Sequence, residues 1–322
     1  MPSAPFDIAL EDTIVEACIQ HLLKFSLHLD DYRLCLVVNG FFVKFNNYVD
    51  IYPEYETLKY ISQCAKNDIN APRVPEIVHF FHREDLCWEY LVMENINLTP
   101  PPEDFFQRVA KAIQWLHDCP VPPDGARIGP VGSGRARHWL FWEYEAPLEF
   151  SSLLALERFL NRAIEKLPPQ GRASTAPISI SHEQLVFMQS DMDESNFGVD
   201  DEGRTCLFDF TTVGLLPESF ASYTMSLTPF AQAVAQYLGW SPSPNQRSMC
   251  RVASILVMSS GPLGLDKDGN PVPPRRRLTQ ASRMKDSTEE QPTTERKDSS
   301  AEKPEPKIKP PYPELDPAHI TL

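Results

Sequence analysis

The sequence lacks the features that mark several common classes of protein. Its 44 acidic residues outnumber its 30 basic ones, and the net charge of −14 argues against a nucleic-acid-binding surface. The seven cysteines are an odd number and form no C-x-x-C pair, so neither a disulfide framework nor a cysteine zinc site is expected. Reduced, buried thiols are typical of an intracellular protein.

The sequence shows no pattern typical of a secretion signal or of a membrane-spanning segment. The first 18 residues lack the basic start and the apolar core of a secretion signal. The longest weakly polar run, Val252 to Leu265, is too short and too rich in serine and glycine to span a bilayer. We therefore expect a soluble, cytoplasmic protein with no membrane or nucleic-acid partner.

The most informative stretch is Val186 to Gly214, VFMQSDMDESNFGVDDEGRTCLFDFTTVG. Two predicted strands, Val186 to Met188 and Thr205 to Phe210, flank a polar turn at residues 200–203. Metal-assisted phosphoryl transfer requires hard oxygen ligands for magnesium and one proton acceptor. Asp191, Asn196 and Asp209 supply two carboxylates and one amide oxygen with this character. The alternative is an ordinary acidic hairpin turn, since Asp and Asn are common turn formers.

D-x-x-x-x-N followed by D-F resembles the catalytic and metal-binding loops of the protein-kinase-like fold. The version here is similar to the aminoglycoside phosphotransferase family, whose usual form is H-x-D-x-x-x-x-N and then I-D-F. The resemblance implies that Asp191 orients and deprotonates an acceptor hydroxyl, while Asn196 and Asp209 hold Mg²⁺ against the phosphates of ATP. Gln189 replaces the family's histidine, which braces the loop, and glutamine can still hydrogen-bond.

The first half of the chain begins with a predicted helix, Glu11 to Phe25, and a hairpin, Arg33 to Phe45, that turns at Asn39-Gly40. By the resemblance, this hairpin turn takes the place of the glycine-rich loop that covers the phosphates. No G-x-G-x-x-G occurs, so the phosphates would depend more on Lys44 and on the metal.

Lys44 ends the second strand of that hairpin, in F-V-K-F, and the resemblance makes it the lysine that binds the α- and β-phosphates. The alternative is an edge-strand lysine that discourages aggregation. A helix, Tyr52 to Ala65, follows, with Pro53 near its start. E-Y-E-T-L-K-Y-I is similar to the family's E-x-E-x-L-x-x-L and implies that Glu54 pairs with the lysine. Glu56 is the second candidate for this pairing. The alternative interpretation of either glutamate is an acidic residue that stabilises the N-terminus of the helix.

Two further strands are predicted, Val74 to His82 and Trp88 to Met93. WEYLVME resembles the strand and hinge between the lobes, where backbone groups of Met93 to Asn95 would meet the adenine. The small lobe would therefore comprise residues 1–94.

Residues 95–265 are predicted to form a larger, mainly helical lobe that carries the catalytic and metal-binding loops, with no strand after Phe210. Its helices are expected at four places: Phe105 to His117, Leu153 to Leu167, Thr228 to Leu238 and Gln246 to Met258. From residue 266 to 322 the chain is rich in Pro, Lys, Glu and Ser, which predicts a disordered tail whose partner is unknown.

Residues 120–146 are rich in proline, glycine and basic side chains. G-P-V-G-S-G lacks the following G-K-[ST] of a Walker motif. Two interpretations remain open, an ordered insertion packed on the large lobe or the lining of an acceptor pocket. The pocket would use Arg135, Arg137, His138, Trp139 and Trp142.

Together these features predict an α+β, two-lobed, protein-kinase-like fold, with a small mainly-β N-lobe built around one main helix and a larger mainly-α C-lobe. The predicted activity is transfer of the γ-phosphoryl group of ATP to a hydroxyl of a small molecule, which the sequence does not identify. One alternative is a degenerate kinase fold that serves as a binding or scaffold module. Another is a protein kinase, against which the absence of H-R-D and A-P-E argues.

Overall fold

The computed structural model describes residues 8–25, 33–66, 68–123 and 126–273, and it confirms the two-lobed α+β class. The small lobe contains α1 (Ile8–Phe25), β1 (Cys35–Val38), β2 (Phe41–Asn46), α2 (Tyr48–Lys66), β3 (Ile77–Arg83) and β4 (Trp88–Glu94). The large lobe contains α3 (Phe105–His117), α4 (Leu153–Lys166), α5 (Pro169–Ala173), β5 (Leu185–Gln189), β6 (Phe197–Val199), β7 (Thr205–Leu207), β8 (Val213–Pro217), α6 (Glu218–Thr224), α7 (Pro229–Leu238) and α8 (Gln246–Leu256).

The small lobe is one antiparallel sheet with strand order β1-β2-β4-β3. Helix α1 covers one face, where Ile14 and Cys18 join a buried cluster with Val43, Phe45 and Tyr90 of the sheet. Helix α2 follows β2 after a single residue, so the strand that carries Lys44 leads directly into the helix that carries Glu54.

The β1–β2 hairpin turns at Asn39-Gly40, where both residues have positive φ, 50° and 82°. Its register pairs Val38 with Phe41 beside the turn and Cys35 with Lys44 at the opposite end. The expectation that this turn replaces the phosphate-covering loop is therefore wrong. The two-stranded register carries the turn away from Lys44, and the segment that enters β1 is the part that lies beside the lysine.

Helix α2 begins at Tyr48, one turn earlier than predicted. The side-chain oxygen of Asn47 accepts the Asp50 N–H at 3.1 Å and so satisfies a free donor of the first turn. Pro53 lies inside the helix, so the prediction that it opens the helix is wrong.

The predicted hairpin of the large lobe is two separate strand pairs. Strand β5 pairs with β8, while the turn at residues 200–203 joins β6 to β7. The prediction of no strand after Phe210 is wrong, because β8 is buried throughout and hydrogen-bonds to β5. Its short apolar run has no alternating pattern that would distinguish a buried strand from a helix segment.

Two hydrophobic clusters fill the large lobe, and one of them crosses into the small lobe. That cluster packs Leu58 and Ile61 of α2 against Phe187 of β5 and Phe210. Because cores are densely packed, this contact fixes α2 against the loop that carries Asp209.

The compact unit extends to Val272, past the predicted start of the tail. The Asp266 N–H donates to the Asn270 carbonyl at 2.9 Å, and the Val272 N–H donates to the Gly264 carbonyl at 2.8 Å. These turns tie residues 266–272 to the end of the large lobe, and the boundary near residue 266 remains a prediction. The remainder of the predicted tail, from residue 274, lies outside the described residues. No helix in the described part of the chain is long and apolar enough to cross a membrane.

Candidate active site

Lys44 lies between two carboxylates that come from different lobes. Its Nζ is 2.6 Å from Glu54 Oε1 and 2.5 Å from Asp209 Oδ1. Burial alone would lower the pKa of Lys44, but the charges of Glu54 and Asp209 outweigh it and raise the pKa above its ordinary value. Lys44 is therefore a fixed cation at the junction of the lobes.

Glu54 is 4% exposed and stands in the second turn of α2. Its second oxygen accepts the Thr211 hydroxyl at 2.8 Å, and Thr211 also accepts from Lys44 at 3.2 Å. The second candidate, Glu56, instead pairs with Lys59 on the same helix at 3.2 Å. The geometry thus selects Glu54 as the partner of Lys44.

Asp209 has left-handed backbone dihedrals, with φ of 51°. A non-glycine residue in this region is strained and is held there by surrounding contacts, a feature that clusters at functional sites. Burial would raise the pKa of Asp209, but the nearby Lys44 charge outweighs this effect and lowers the pKa to about 2. The carboxylate is therefore ionised and available to a cation.

Asp191 and Asn196 face each other within the loop between β5 and β6. The amide nitrogen of Asn196 donates to the Asp191 backbone carbonyl at 2.9 Å and to its Oδ2 at 3.2 Å. Partial burial raises the pKa of Asp191, and the charge of Asp209 acts in the same direction. Because the Asn196 amide nitrogen donates to Asp191, the amide oxygen is the atom that Asn196 can offer to a ligand in the cleft.

Gln189 braces both loops through its side-chain amide. Its nitrogen donates to the Asp209 carbonyl at 2.8 Å and to the Phe208 carbonyl at 3.3 Å. Its oxygen accepts the Asp191 N–H at 3.2 Å and the Thr212 hydroxyl. One side chain therefore holds the Asp191 loop against the Asp209 loop.

A cleft of about 280 Å³ lies between the sheet and these loops. The described residues that line it include Phe42, Lys44, Glu54, Met93, Asn95, Leu98, Asn196, Phe208, Asp209 and Phe210. Six of the seven residues predicted for the site thus line one space, and the seventh, Asp191, lies beyond Asn196. At the hinge, no backbone–backbone hydrogen bond ties Asn95 to another described residue.

The cleft suits a metal that arrives with a phosphate ligand. The described residues contain no group of three or more His, Cys, Asp or Glu side chains that could hold a metal ion by themselves. Asn196 and Asp209 offer one amide oxygen and one carboxylate. Magnesium is commonly held by one or two carboxylates together with substrate phosphates and water, so these residues fit it.

A second space of about 350 Å³, the acceptor-side pocket, adjoins the cleft. Its described lining residues are Arg33, His138, Trp139, Tyr144, Asp191, Asp193, Ser195, Asn196, Asp209 and Thr212. Trp139 and Tyr144 are 40% and 47% exposed, and their rings meet edge to face with centroids 4.5 Å apart. The pocket therefore joins two aromatic rings to the Asp191 carboxylate.

The described part of the 120–146 segment packs on the large lobe through Leu140, Phe141 and Ala146, and some of its residues also line this pocket. That the pocket receives an acceptor remains a prediction. Of the five residues considered, Trp139 and His138 line it, whereas Arg135 pairs with Glu145 at 3.1 Å. Arg137 pairs with Asp50 of α2 at 2.8 Å. Trp142 is absent from the lining.

His138 anchors the insertion. Its Nδ1 accepts the Leu140 N–H at 2.9 Å, so its Nε2 carries the hydrogen that faces the Thr224 hydroxyl at 2.8 Å. Burial lowers the pKa of His138 to about 3, which keeps the ring neutral. This residue fixes the loop that presents Trp139.

Gly214 allows the same insertion to approach the catalytic strands. The backbone of Gly129 pairs with that of Leu215, with hydrogen bonds of 2.9 and 2.7 Å. A Cβ at Gly214 would stand 2.8 Å from the Gly129 carbonyl oxygen, which is closer than real Cβ atoms come. The glycine of D-F-x-x-x-G thus serves a close backbone contact.

Sequence reasoning missed several residues around the site, among them Tyr144, Thr211 and Arg73. Thr211 completes the Lys44–Glu54 network, and the turn in which the Asp209 side chain accepts the Thr211 N–H is typical of aspartate. Arg73 joins Glu94 of β4 to Asp200 of the β6–β7 turn behind the cleft. No local pattern predicts that contact, because the partners are far apart in sequence.

Comparison with known proteins identifies a family. Residues 30–219, more than half of the chain, match the APH family, described as the phosphotransferase enzyme family. The search of curated proteins found no match.

Several solved structures are distantly similar. The GDP complex of wild-type aminoglycoside 2'-phosphotransferase-IIIa is 13% identical, with a TM-score of 0.43 over 74% of this chain and 88% of that chain. A putative fructosamine-3-kinase from Haemophilus somnus 129PT is 12% identical, with a TM-score of 0.44 over 74% and 90%. Aminoglycoside phosphotransferase APH(3'')-Id from Streptomyces rimosus ATCC10970, in complex with ADP and streptomycin, is 14% identical, with a TM-score of 0.37 over 73% and 98%. The assignment rests on the family match, and by it the chain belongs to the phosphotransferase enzyme family.

Proposed function

We propose that the protein is an ATP-dependent phosphotransferase that transfers the γ-phosphoryl group to a hydroxyl of a small molecule. The observation that carries this proposal is the Lys44 ammonium held between Glu54 and Asp209, at 2.6 and 2.5 Å, across a cleft that leads to Asp191. Phosphoryl transfer depends mainly on positioning and charge, and this arrangement supplies both.

The cleft would hold the nucleotide in a defined direction. Met93 and Asn95 stand at the hinge, where their backbone groups would meet the adenine edge. The Asn95 backbone makes no backbone hydrogen bond to another described residue. The base would pack against the apolar side chains of Phe42 and Leu98. At the other end Lys44 would neutralise the α- and β-phosphates, with Glu54 keeping its ammonium in place.

Asn196 and Asp209 would hold Mg²⁺, which when bound supplies positive charge against the phosphate oxygens. The strained backbone of Asp209 and the Gln189 brace fix these donors before substrate arrives. Asp191 would accept the proton of the acceptor hydroxyl, since its carboxylate faces the acceptor-side pocket. Asp191 lines the acceptor-side pocket and not the cleft, which fits a base on the acceptor side of the transferred group.

The acceptor would occupy the space next to Asp191. Trp139 and Tyr144 offer exposed ring surface for the apolar faces of such a molecule, and Asp193 offers a polar group that fixes its orientation. The intracellular location expected from the cysteines remains a prediction.

The test is turnover of labelled ATP by the purified protein against a library of hydroxyl compounds. Asp191→Asn should abolish transfer while leaving the melting temperature within a few degrees of the wild type. Asp201→Asn is the matched control, because Asp201 is exposed in the β6–β7 turn outside both spaces. Transfer by Asp191→Asn at the wild-type rate would reject the assigned base. The alternative of a catalytically silent module predicts no transfer by the wild type at any acceptor.

A further inference from the structure

Arg33 stands two residues before β1, in the segment that enters the strand. Cys35 pairs with Lys44 in the hairpin register, so their side chains share one face of the sheet. Arg33 lines the same recess as Cys35 and Lys44. The Arg33 carbonyl accepts His21 Nε2 at 2.7 Å, and the Leu34 carbonyl accepts the Phe45 N–H at 3.0 Å. These two bonds fix the backbone at this point.

The Arg33 side chain borders two neighbouring spaces. One is a recess that it lines together with Lys44, Glu54 and Thr211. The other is the acceptor-side pocket, which it lines together with Asp191 and Asp193. Arg33 therefore lies between the proposed phosphate-binding lysine and the proposed base, where the transferred group would travel.

The charges around that position call for a cation. Three carboxylates line the acceptor-side pocket, from Asp191, Asp193 and Asp209, and Lys44 is already bonded to Asp209 and Glu54. Among the described residues that line this pocket, Arg33 is the only positive side chain, since His138 is buried and neutral. Mg²⁺ held by Asn196 and Asp209 would offset the Asp209 charge. The carboxylates of Asp191 and Asp193 would still repel a phosphoryl group, which Arg33 would offset from the acceptor side.

We propose that Arg33 is a catalytic arginine that donates hydrogen bonds to the γ-phosphoryl oxygens as the group is transferred. The inference rests on the proposed function. In the step, the acceptor oxygen forms a bond to the γ-phosphorus while the bond from that phosphorus to the bridging oxygen breaks. The hydroxyl proton passes to Asp191, and ADP leaves with the bridging oxygen. A planar guanidinium suits this role, because its fork matches two phosphoryl oxygens at once.

The placement of Arg33 also accounts for the lack of a glycine-rich turn. The Asn39-Gly40 turn lies at the far end of the hairpin from Lys44, so it cannot cover the phosphates. A side chain from the opposite end of β1 would supply positive charge in place of backbone N–H groups.

The test compares Arg33→Ala and Arg33→Lys with the wild type and with Arg83→Ala. Arg83 is the matched control, because it is an arginine of the same lobe whose ion pairs with Asp12 and Asp85 lie outside the cleft. Hydrolysis of labelled ATP, with water as the acceptor, gives kcat and KM. Titration of Mg–ADP with and without aluminium fluoride gives affinity for the ground state and for a mimic of the transferring group.

Arg33→Ala should lower kcat about 1,000-fold, in the range known for transition-state arginines, while the Kd of Mg–ADP changes less than about threefold. Aluminium fluoride should tighten Mg–ADP binding by the wild type and by Arg83→Ala but not by Arg33→Ala. Arg33→Lys keeps the charge without the planar fork and should recover part of the rate. A purely structural role for Arg33 would leave the aluminium fluoride effect in place.

Two results overturn the inference while the proposed function stands. One is Arg33→Ala turnover within about threefold of the wild type. The other is a rise in the Mg–ADP Kd as large as the fall in kcat, which would make Arg33 a ground-state contact. A wild-type protein that neither hydrolyses ATP nor binds Mg–ADP would instead overturn the proposed function, and the Arg33 assignment with it.

Discussion

Among the described residues, two cations of the small lobe pair with carboxylates of the large lobe, one at the front of the cleft and one behind it. Lys44 connects Glu54 of α2 to Asp209, and Arg73 connects Glu94 of β4 to Asp200. In both clusters a cation from the small lobe meets a carboxylate of its own lobe and one of the large lobe. The two clusters differ in how completely they satisfy the large-lobe carboxylate.

The rear carboxylate is fully enclosed. Asp200 has a side chain with 0% exposure and accepts the Arg73 guanidinium at 2.6 Å and Arg204 Nε at 2.9 Å. It also accepts the backbone N–H groups of Glu202 at 3.1 Å and Arg204 at 2.8 Å. Both oxygens of Asp200 have protein partners, so this carboxylate has no acceptor position left for a ligand.

The front carboxylate is left partly open. The Asp209 side chain is 37% exposed, and its main protein partners are Lys44 and the Thr211 N–H at 3.3 Å. A point charge such as an ammonium can turn from one oxygen ligand to another, whereas a planar guanidinium is held by its fork. The comparison indicates that the front cluster is built to exchange partners with a ligand and the rear cluster to hold the lobes together.

The largest expected effects come from the same substitution in both clusters. Asp209→Asn should lower ATP turnover by at least about 100-fold, because the proposed metal ligand and its charge are lost. It should cost less unfolding free energy than Asp200→Asn, because the Asp209 side chain is 37% exposed and that of Asp200 is 0% exposed. Asp200→Asn should cost about 3 kcal/mol of unfolding free energy, because it leaves Arg73 with one carboxylate in a buried cluster. Turnover per folded molecule should remain near the wild-type value. Steady-state kinetics measure the loss of turnover, and urea unfolding measures the loss of stability. A larger loss of turnover in Asp200→Asn than in Asp209→Asn would contradict the assignment of the front cluster to ligand binding.

The contribution of Asp200 to the unfolding free energy should depend on pH, and this effect is smaller than the preceding one. Burial would raise the pKa of Asp200, but hydrogen bonds from Arg204 and Arg73 lower it from 3.8 to about 2. A depressed pKa contributes stability that is present above the unfolded pKa and is lost as the pH falls through the folded one. The stability gap between the wild type and Asp200→Asn should therefore narrow as the pH drops from about 4 to about 2. Urea unfolding at a series of pH values measures it, and a constant gap would contradict the assignment.

Ligand binding sharpens the comparison further. At 100 times its Kd, Mg–ADP should stabilise the wild type by about 2.7 kcal/mol, seen as a rise of several degrees in melting temperature. The rise should shrink in Asp209→Asn and persist in Asp200→Asn. ADP without magnesium is the control, and an equal rise in both variants would show that the front cluster does not meet the nucleotide complex.

The sequence predicted the site better than the strands that hold it. Asp191, Asn196 and Asp209 could be proposed because they lie in one short motif of fixed spacing, and Lys44 was proposed from the family resemblance of F-V-K-F. Glu54 was separable from Glu56 by helical spacing, and the structure pairs it with Lys44 at 2.6 Å. Local chemistry at fixed spacing is what a sequence displays directly.

Pairings between distant segments could not be read in this way. Strand β8 was missed because its buried apolar run lacks an alternating pattern, and the β5–β8 pair was taken for a β5–β7 hairpin. The Arg73 cluster and the anchoring of His138 against Thr224 depend on contacts between segments far apart in the chain. Such contacts are set by the packing of the whole core rather than by any local spacing.

The smallest expected change in turnover and stability is for Glu56→Gln, which serves as a control for Glu54 of the front cluster. Glu56 of α2 is partly exposed and pairs with Lys59 at 3.2 Å. Surface residues three apart on a helix often form such ion pairs. Glu56→Gln should therefore change stability by less than about 0.5 kcal/mol and ATP turnover by less than about twofold, because exposed ion pairs contribute little. Glu54→Gln, two positions earlier, removes a buried partner of Lys44 and should lower turnover far more. Equal losses in the two variants would mean that net acid on α2, and not the position of one carboxylate, supports Lys44.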